Sequence, residues 1–166
     1  PGVSRFATVL YKIYVQTFDL SVPIFGHRLQ DFLVEQYRDQ VERYFDIVET
    51  DENEIAIVYH NDCVTLAMAP ATRHLFVNGV HRIRVERFNI VESLDVDERL
   101  AKRLLTGDEP MLKSIADKVV YSRIVPEGHV GLLYVDGELT RTLAPGFHAF
   151  FAVERVVNVE LYDTRV

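Results

Sequence analysis

ENEIAIVYHNDCVTLAMAP, residues 52–70, and EGHVGLLYVDGELTRTLAP, residues 127–145, follow one pattern at a constant offset of 75 (127 − 52). Ile55 falls on Val130, Tyr59 on Tyr134, and Ala69-Pro70 on Ala144-Pro145. In each copy an apolar run meets two residues that tolerate positive φ, Asn61-Asp62 in the first and Asp136-Gly137 in the second. Such pairs suit a two-residue type I′ turn, so both stretches read as β-hairpins. A repeat of this length sets the whole fold, because each copy must build the same unit.

Outward from the hairpins the repeat continues with one residue dropped. At an offset of 74 (148 − 74), His74 meets His148, Val85-Glu86 meets Val159-Glu160, and Phe88-Asn89 meets Tyr162-Asp163. The last copy predicts strands over 130–135 and 138–143, a reversal at Ala144-Pro145-Gly146, and strands over 147–153 and 156–163. Asn78-Gly79 marks the matching third turn of the earlier copy. A partial third copy opens the chain: at an offset of 144 (150 − 6), Phe6, Ile13, Val15 and Asp19 fall on Phe150, Val157, Val159 and Asp163. A start in mid-repeat and without Met reads as a piece of a longer protein. Ile13, Val15, Phe18 and Leu20 recur as Ile83, Val85, Phe88 and Ile90, and a spacing of two, then three, predicts a β-bulge or bend in this strand.

The connectors read as helices. Phe32, Leu33, Tyr37, Val41 and Tyr44 recur at spacings of three and four, which predicts a helix over 29–44 with these residues on one face. Asp95 followed by Glu98 has the form of a capping box, and Gly107 after Leu104-Leu105 is a stop signal. Asp108 and Pro110 open a further short helix through Ile115. The expected class is α+β, with repeated small antiparallel β modules, barrel or sandwich-like, joined by helical connectors. The expected division is the end of a partial first repeat over 1–25, a helix plus β module over 26–92, and a connector plus β module over 93–166, with a boundary near 91–118.

Composition excludes several function classes. The 166 residues hold no apolar run near the roughly 18 that a spanning helix needs and no signal-peptide pattern. A single cysteine, Cys63, forms no intrachain disulfide, so a reducing, cytoplasmic setting is the expectation. The net charge of −7 supplies no basic surplus for nucleic acid, which is not an expected partner.

Candidate chemistry is sparse. His60, Asp62, Cys63 and His74 are the sharpest cluster, but their repeat counterparts include Val135 at His60 and Glu138 at Cys63, and no second cysteine has metal-ligand spacing. His74 and His148 match in the repeat, which points to a shared structural role. Asp95, Asp97 and Glu98 suit a helix N-terminus. Asp51, Glu52, Glu54 and Glu127 precede strands as solvated loop residues. Gly128, Gly131 and Gly137 lack the context of a phosphate-binding loop. Arg82, Arg84 and Arg87 form a basic stretch offset by Glu86 and Glu92, read as a solvated strand face rather than an anionic-lipid patch. No catalytic, cofactor-binding or metal-binding residue is assigned, and no cofactor is expected. Phe32, Tyr37 and Phe150 are open between core and interface.

VPEGHVGLLYVDGELTRTLAPGFHAFFAVERVVNVELYDTRV, residues 125–166, resembles the opening of the conserved domain of stomatin-like proteins, the slipins, in the group that includes stomatins, prohibitins and flotillins. The resemblance rests on VPEGHVGLLY, the Asp136-Gly137 turn, LAPGFHAFF at 143–151 and VELYDTR at 159–165. It covers about a quarter of the chain directly, and the repeat extends it weakly to residues 49–90 and 1–20. In that family an α/β domain and a long helical segment follow the motif. The resemblance implies a scaffold without a catalytic site of its own, which sits on a membrane, self-associates into large rings or cages and often partners membrane proteases. Family members usually carry a hydrophobic N-terminal anchor, and these 166 residues hold no stretch of that kind. The expected function is a non-enzymatic, self-associating module of a membrane-associated assembly, a homo-oligomer. The alternatives are a β-rich peptide- or protein-binding module that adds a partner strand at a sheet edge, and a hydrolase or its accessory domain using Cys63 with His60 or His74.

Overall fold

The structure, a computed structural model, describes residues 2–6, 12–107 and 119–165. Its elements are β1 (Ile24–Phe25), α1 (Gln30–Val41), β2 (Phe45–Glu49), β3 (Glu54–His60), β4 (Cys63–Met68), β5 (Arg73–Val77), β6 (Ile83–Asn89), α2 (Glu98–Thr106), β7 (Val120–Val125), β8 (His129–Val135), β9 (Glu138–Leu143), β10 (Gly146–Phe151) and β11 (Val157–Asp163). All strand pairs are antiparallel, and the strands form four small sheets, β1-β5-β2, β4-β3-β6, β10-β7 and β11-β8-β9. The class is therefore α+β, built of small β modules. The short helix expected from Asp108 lies outside the described residues.

The sequence repeat is a repeat of hydrogen-bond register. β3 pairs with β6 so that Ile55 faces Phe88, and β8 pairs with β11 so that Val130 faces Tyr162, the same positions displaced by 75 and 74. β2 pairs with β5, placing Val48 opposite His74, as β7 pairs with β10, placing Arg123 opposite His148. Even the edge contact recurs. Ile24 of β1 lies opposite Phe76, and Asp95 makes an isolated bridge to Phe150, the counterpart of Phe76.

Each module is a two-layer sandwich with its own core. In the first, Val58, Met68, Phe76, Ile83 and Val85 pack together, and in the second Leu133, Leu143, Phe150, Val157 and Val159 occupy the same positions. The hairpin turns run through left-handed conformations, with Asn61 and Asp62 at φ 50° and 66° and Asp136 and Gly137 at 52° and 85°.

The bulge lies elsewhere than predicted. β6 and β11 pair without interruption, whereas the register shifts in the hairpins, between Val58 and Tyr59 and between Leu133 and Tyr134. Thr65 and Thr140, 75 residues apart, are the extra residues, and each hydroxyl donates to the carbonyl two residues before it. The two-then-three spacing has another cause. Ile83 and Val85 face their own sandwich, while Phe88 faces the opposite way into apolar surroundings on the other side of the sheet. A regular strand with both faces covered needs no bend to bury residues of either parity.

The helices correct the sequence expectation in two places. α1 is shorter than 29–44; of the expected face Val41 and Leu33 turn inward against Leu75, and Val34, not on that face, is buried with them. Phe32 and Tyr37 are exposed and touch each other edge to face, 6.1 Å between centroids. Tyr37 has non-helical φ and ψ of −134° and 34°, and this kink shifts which residues face the sheet. α2 is capped by Asp97, whose Oδ1 accepts from the N–H groups of Arg99 and Leu100, not by Asp95. Asp95 is drawn away by its bridge to Phe150 and an ion pair with Arg141.

α1 and α2 cover the outer faces of sheets β1-β5-β2 and β10-β7. α2 does more. Its Leu100, Ala101 and Leu104 belong to one cluster with Val120, Ala149 and Phe151 of its own module and with Ile55, Ile57, Tyr59 and Ala67 on the outer face of the first. Phe88 meets Phe151 across this joint at 5.2 Å between centroids. The Val96 N–H donates to Ala149 and the Phe151 N–H donates to Leu94, which ties the connector to β10.

Truncating Phe151 to Ala is expected to cost about 3–5 kcal/mol in urea unfolding. A double-mutant cycle with Phe88→Ala should return about 1 kcal/mol of coupling, and additive losses would break the assigned contact. Glu154 holds φ 57° in the β10–β11 turn, and the corresponding β5–β6 turn has a glycine, Gly79, at φ 72°. Glu154→Gly should therefore stabilise by up to about 1 kcal/mol, because relief of left-handed strain exceeds the added chain entropy; a lower melting temperature would contradict this.

Candidate functional site

The histidine and cysteine candidates separate. His60 and Cys63 lie opposite each other at the end of the β3–β4 hairpin, and Cys63 is exposed. The His60 ring turns to His81, with Nε2 2.9 Å from Nδ1 and the rings edge to face at 4.7 Å. His81 Nε2 in turn lies 2.9 Å from the Leu20 carbonyl, and the Asn61 amide reaches His60 at 3.2 Å. This chain of contacts ties the N-terminal segment to the hairpin tip. His74 is on β5, in the other sheet, where burial lowers its pKa and favours the neutral ring. His148 holds the matching register position, but its Nε2 bonds the Ala144 carbonyl at 2.8 Å. Among the described residues no three His, Cys, Asp or Glu side chains form a metal-holding group.

The charged candidates are engaged locally. Arg87 donates to the Glu49 carbonyl and to Glu54, and Arg84 lies 3.8 Å over the Tyr59 ring. The Tyr59 hydroxyl donates to Glu86 at 2.8 Å; burial and this bond raise its pKa. Gly128 and Gly137 occupy turns at positive φ. Gly131 is inside β8, where an added Cβ would come within 2.9 Å of Val125. None of the three cradles an anion before a helix. A cleft lined by Asp31, Glu49, Arg73 and His74 carries a small ion network: Arg73 Nε donates to Glu49 at 2.6 Å and Nη1 to Asp31 at 3.2 Å, while Arg38 reaches Glu49 at 3.3 Å.

The larger asymmetry is apolar, and it concerns equivalent surfaces. In the first module the outer face of sheet β4-β3-β6, with Ile55, Ile57 and Tyr59, is fully buried in the joint. The counterparts in the second module, Val130, Leu132 and Tyr134, are only half-buried. Beside them Leu139 and Tyr162 are 57% and 50% exposed. The same face that seats a neighbouring unit in one module is thus open in the other. The smaller sheets show the reverse. Val119, Val120 and Phe151 are buried at the joint, whereas of their counterparts, which line an apolar hollow of about 570 Å³ beside Phe25, Tyr44 is exposed, Phe45 half-buried and Val77 buried.

Compared with family models, with curated proteins and with solved structures, the chain matches none. No helix among the described residues is long and apolar enough to cross a membrane. The open faces were not singled out from the sequence. The signal was present in the repeat itself, since Leu132 and Tyr134 align with Ile57 and Tyr59, but burial of either set depends on what lies across the sheet.

Burial opposes the Glu49 charge, yet its bonds from Arg73 and Arg38 outweigh that and hold the carboxyl below its usual range. A depressed folded-state pKa stabilises above the unfolded value, near 4.3, and the contribution fades as pH falls through the folded one. Thermal melts from neutral to acid pH should show a shallower loss in Glu49→Gln than in the parent chain, and parallel curves would remove Glu49 from the acid response.

Proposed function

We propose that the chain is a non-enzymatic, self-associating scaffold module of stomatin-like type, serving a membrane-associated assembly. The observation that carries this reading is the joint. Two copies of one β module are held by packing the outer sheet face of one against the helix and smaller sheet of the next. A unit that buries its own outer surfaces by stacking on another unit is suited to building extended structures. The motifs at residues 125–166 that resemble slipins add the membrane setting, the rings or cages and the protease partners to the proposal.

Light scattering across a wide concentration range tests it. A species larger than one chain, growing with concentration at moderate salt, is the expected result. A monomer at every concentration up to the solubility limit would refute self-association by these modules.

A further inference from the structure

The contact between His60 and His81 limits how many protons the two rings can hold. Both residues are half-buried, His60 at the end of β3 and His81 two residues before β6, with Nε2 of the first 2.9 Å from Nδ1 of the second. His81 Nε2 faces the Leu20 carbonyl at 2.9 Å, and a carbonyl only accepts, so this nitrogen carries a proton. With both rings neutral, His81 Nδ1 is then the acceptor and His60 Nε2 the donor. One added proton reverses the bond: His81 donates from both nitrogens, and His60 Nε2 accepts from it and from Asn61 Nδ2 at 3.2 Å. A second added proton fits neither arrangement, because N–H then points at N–H between two cations.

We propose that this pair is a pH-sensitive latch, which holds the segment around Leu20 to the first module until acid charges both rings and forces them apart. The inference does not depend on the scaffold reading. His60 is fixed on the central strand of sheet β4-β3-β6, whereas His81 is in the β5–β6 turn, so the turn and the Leu20 bond are what yield. The segment has a second hold. Thr17 to Leu20 cover the hollow beside Phe45, and Phe18 packs on Phe25 at 4.6 Å between centroids. Acid therefore loosens the segment without opening the sandwich behind it. A lost hydrogen bond of ordinary net strength raises the open-to-closed ratio by about fivefold.

The second module ties the same corner with different chemistry. Val135 stands at His60, Asp136 at Asn61, and Arg155, two residues before β11, at His81. Arg155 pairs with Asp136 at 3.4 Å. Arginine and aspartate ordinarily keep their charges between about pH 5 and 8, whereas histidine changes its charge there. The other charged or titratable groups on the elements that meet at the pair are Asp62 and Cys63 of the hairpin, Arg82 and Arg84 beside Ile83, and Asp19 of the segment. Among the described residues none of them hydrogen-bonds either ring. The Ser21 N–H donates to Asp19 at 2.9 Å and holds its carboxyl below the usual range, so Asp19 stays ionised. His27 is the competing source of a pH response: its ring lies 5.9 Å from Phe18 and 6.2 Å from Phe25, and its Nδ1 accepts from the Leu29 N–H.

The test is NMR of the full chain at about pH 8 and about pH 5, the limits of the histidine range. The Phe18–Phe25 ring NOE reports the segment, and the Phe88–Phe151 ring NOE reports the fold. In the parent the first should weaken reversibly at the lower pH while the second persists. His60→Gln keeps a polar partner for His81 without the second charge, so it should retain the Phe18–Phe25 contact at both pH values. His81→Ala removes the Leu20 bond and should show the weakened contact at both. His27→Gln should respond as the parent does. A Phe18–Phe25 contact that is the same at both pH values in the parent overturns the latch. So does a response that survives in His60→Gln or vanishes in His27→Gln, or an acid loss of both NOEs together. His60→Gln decides the matter even where His81→Ala fails to fold.

Discussion

The structure depends on one buried apolar joint, the outer face of sheet β4-β3-β6 packed against α2 and sheet β10-β7. Ile55, Ile57, Phe151, Ala101 and Leu104 share that cluster and are almost wholly removed from water. A small sandwich buries only its inner faces unaided, and its outer faces remain a liability. Here the outer face of one module is satisfied by the connector and smaller sheet of the next. The joint therefore does for the pair what a larger core does in a bigger domain.

This arrangement explains why the connectors are helical and where they lie. α1 and α2 each cover the outer face of a smaller sheet, and each follows an edge strand or bridge that pairs with the third strand of its module's hairpins. Asp95 and Asp97 divide the work at the entry to α2: the first holds the bridge and Arg141, the second caps the helix. The chemistry of the charged and histidine side chains is spent on such local ties. The His60–His81–Leu20 chain joins the N-terminal segment to a hairpin tip, and the Glu49–Arg73–Asp31 network holds α1 to β2 and β5.

Much of the fold was legible because it was written twice. The hairpin turns at Asn61-Asp62 and Asp136-Gly137, the strands around them and the two connectors follow from local patterns that a repeat makes hard to misread, whereas β1, β2 and β7 were not anticipated. The errors have a common origin. The bend expected near Phe88 is absent, since β6 pairs without interruption, and of the α1 face expected to carry Phe32, Leu33, Tyr37, Val41 and Tyr44 only Leu33 and Val41 turn inward, joined by Val34. In both cases local spacing was taken to fix the geometry, whereas the surfaces packed across each element decide which residues are buried.

The sequence by itself determined the unit: its length, its hairpin turns and the strands that flank them. These depend on alternation and turn chemistry within a few dozen residues, and both copies agree on them. Only the tertiary structure decided which outer faces are covered. Tyr59 and Tyr134 are the same residue at the same repeat position, yet one is buried against a neighbouring unit and the other faces outward. The side chain sets how much is gained by burial, but burial itself requires a partner across the sheet, and that partner comes from another part of the chain.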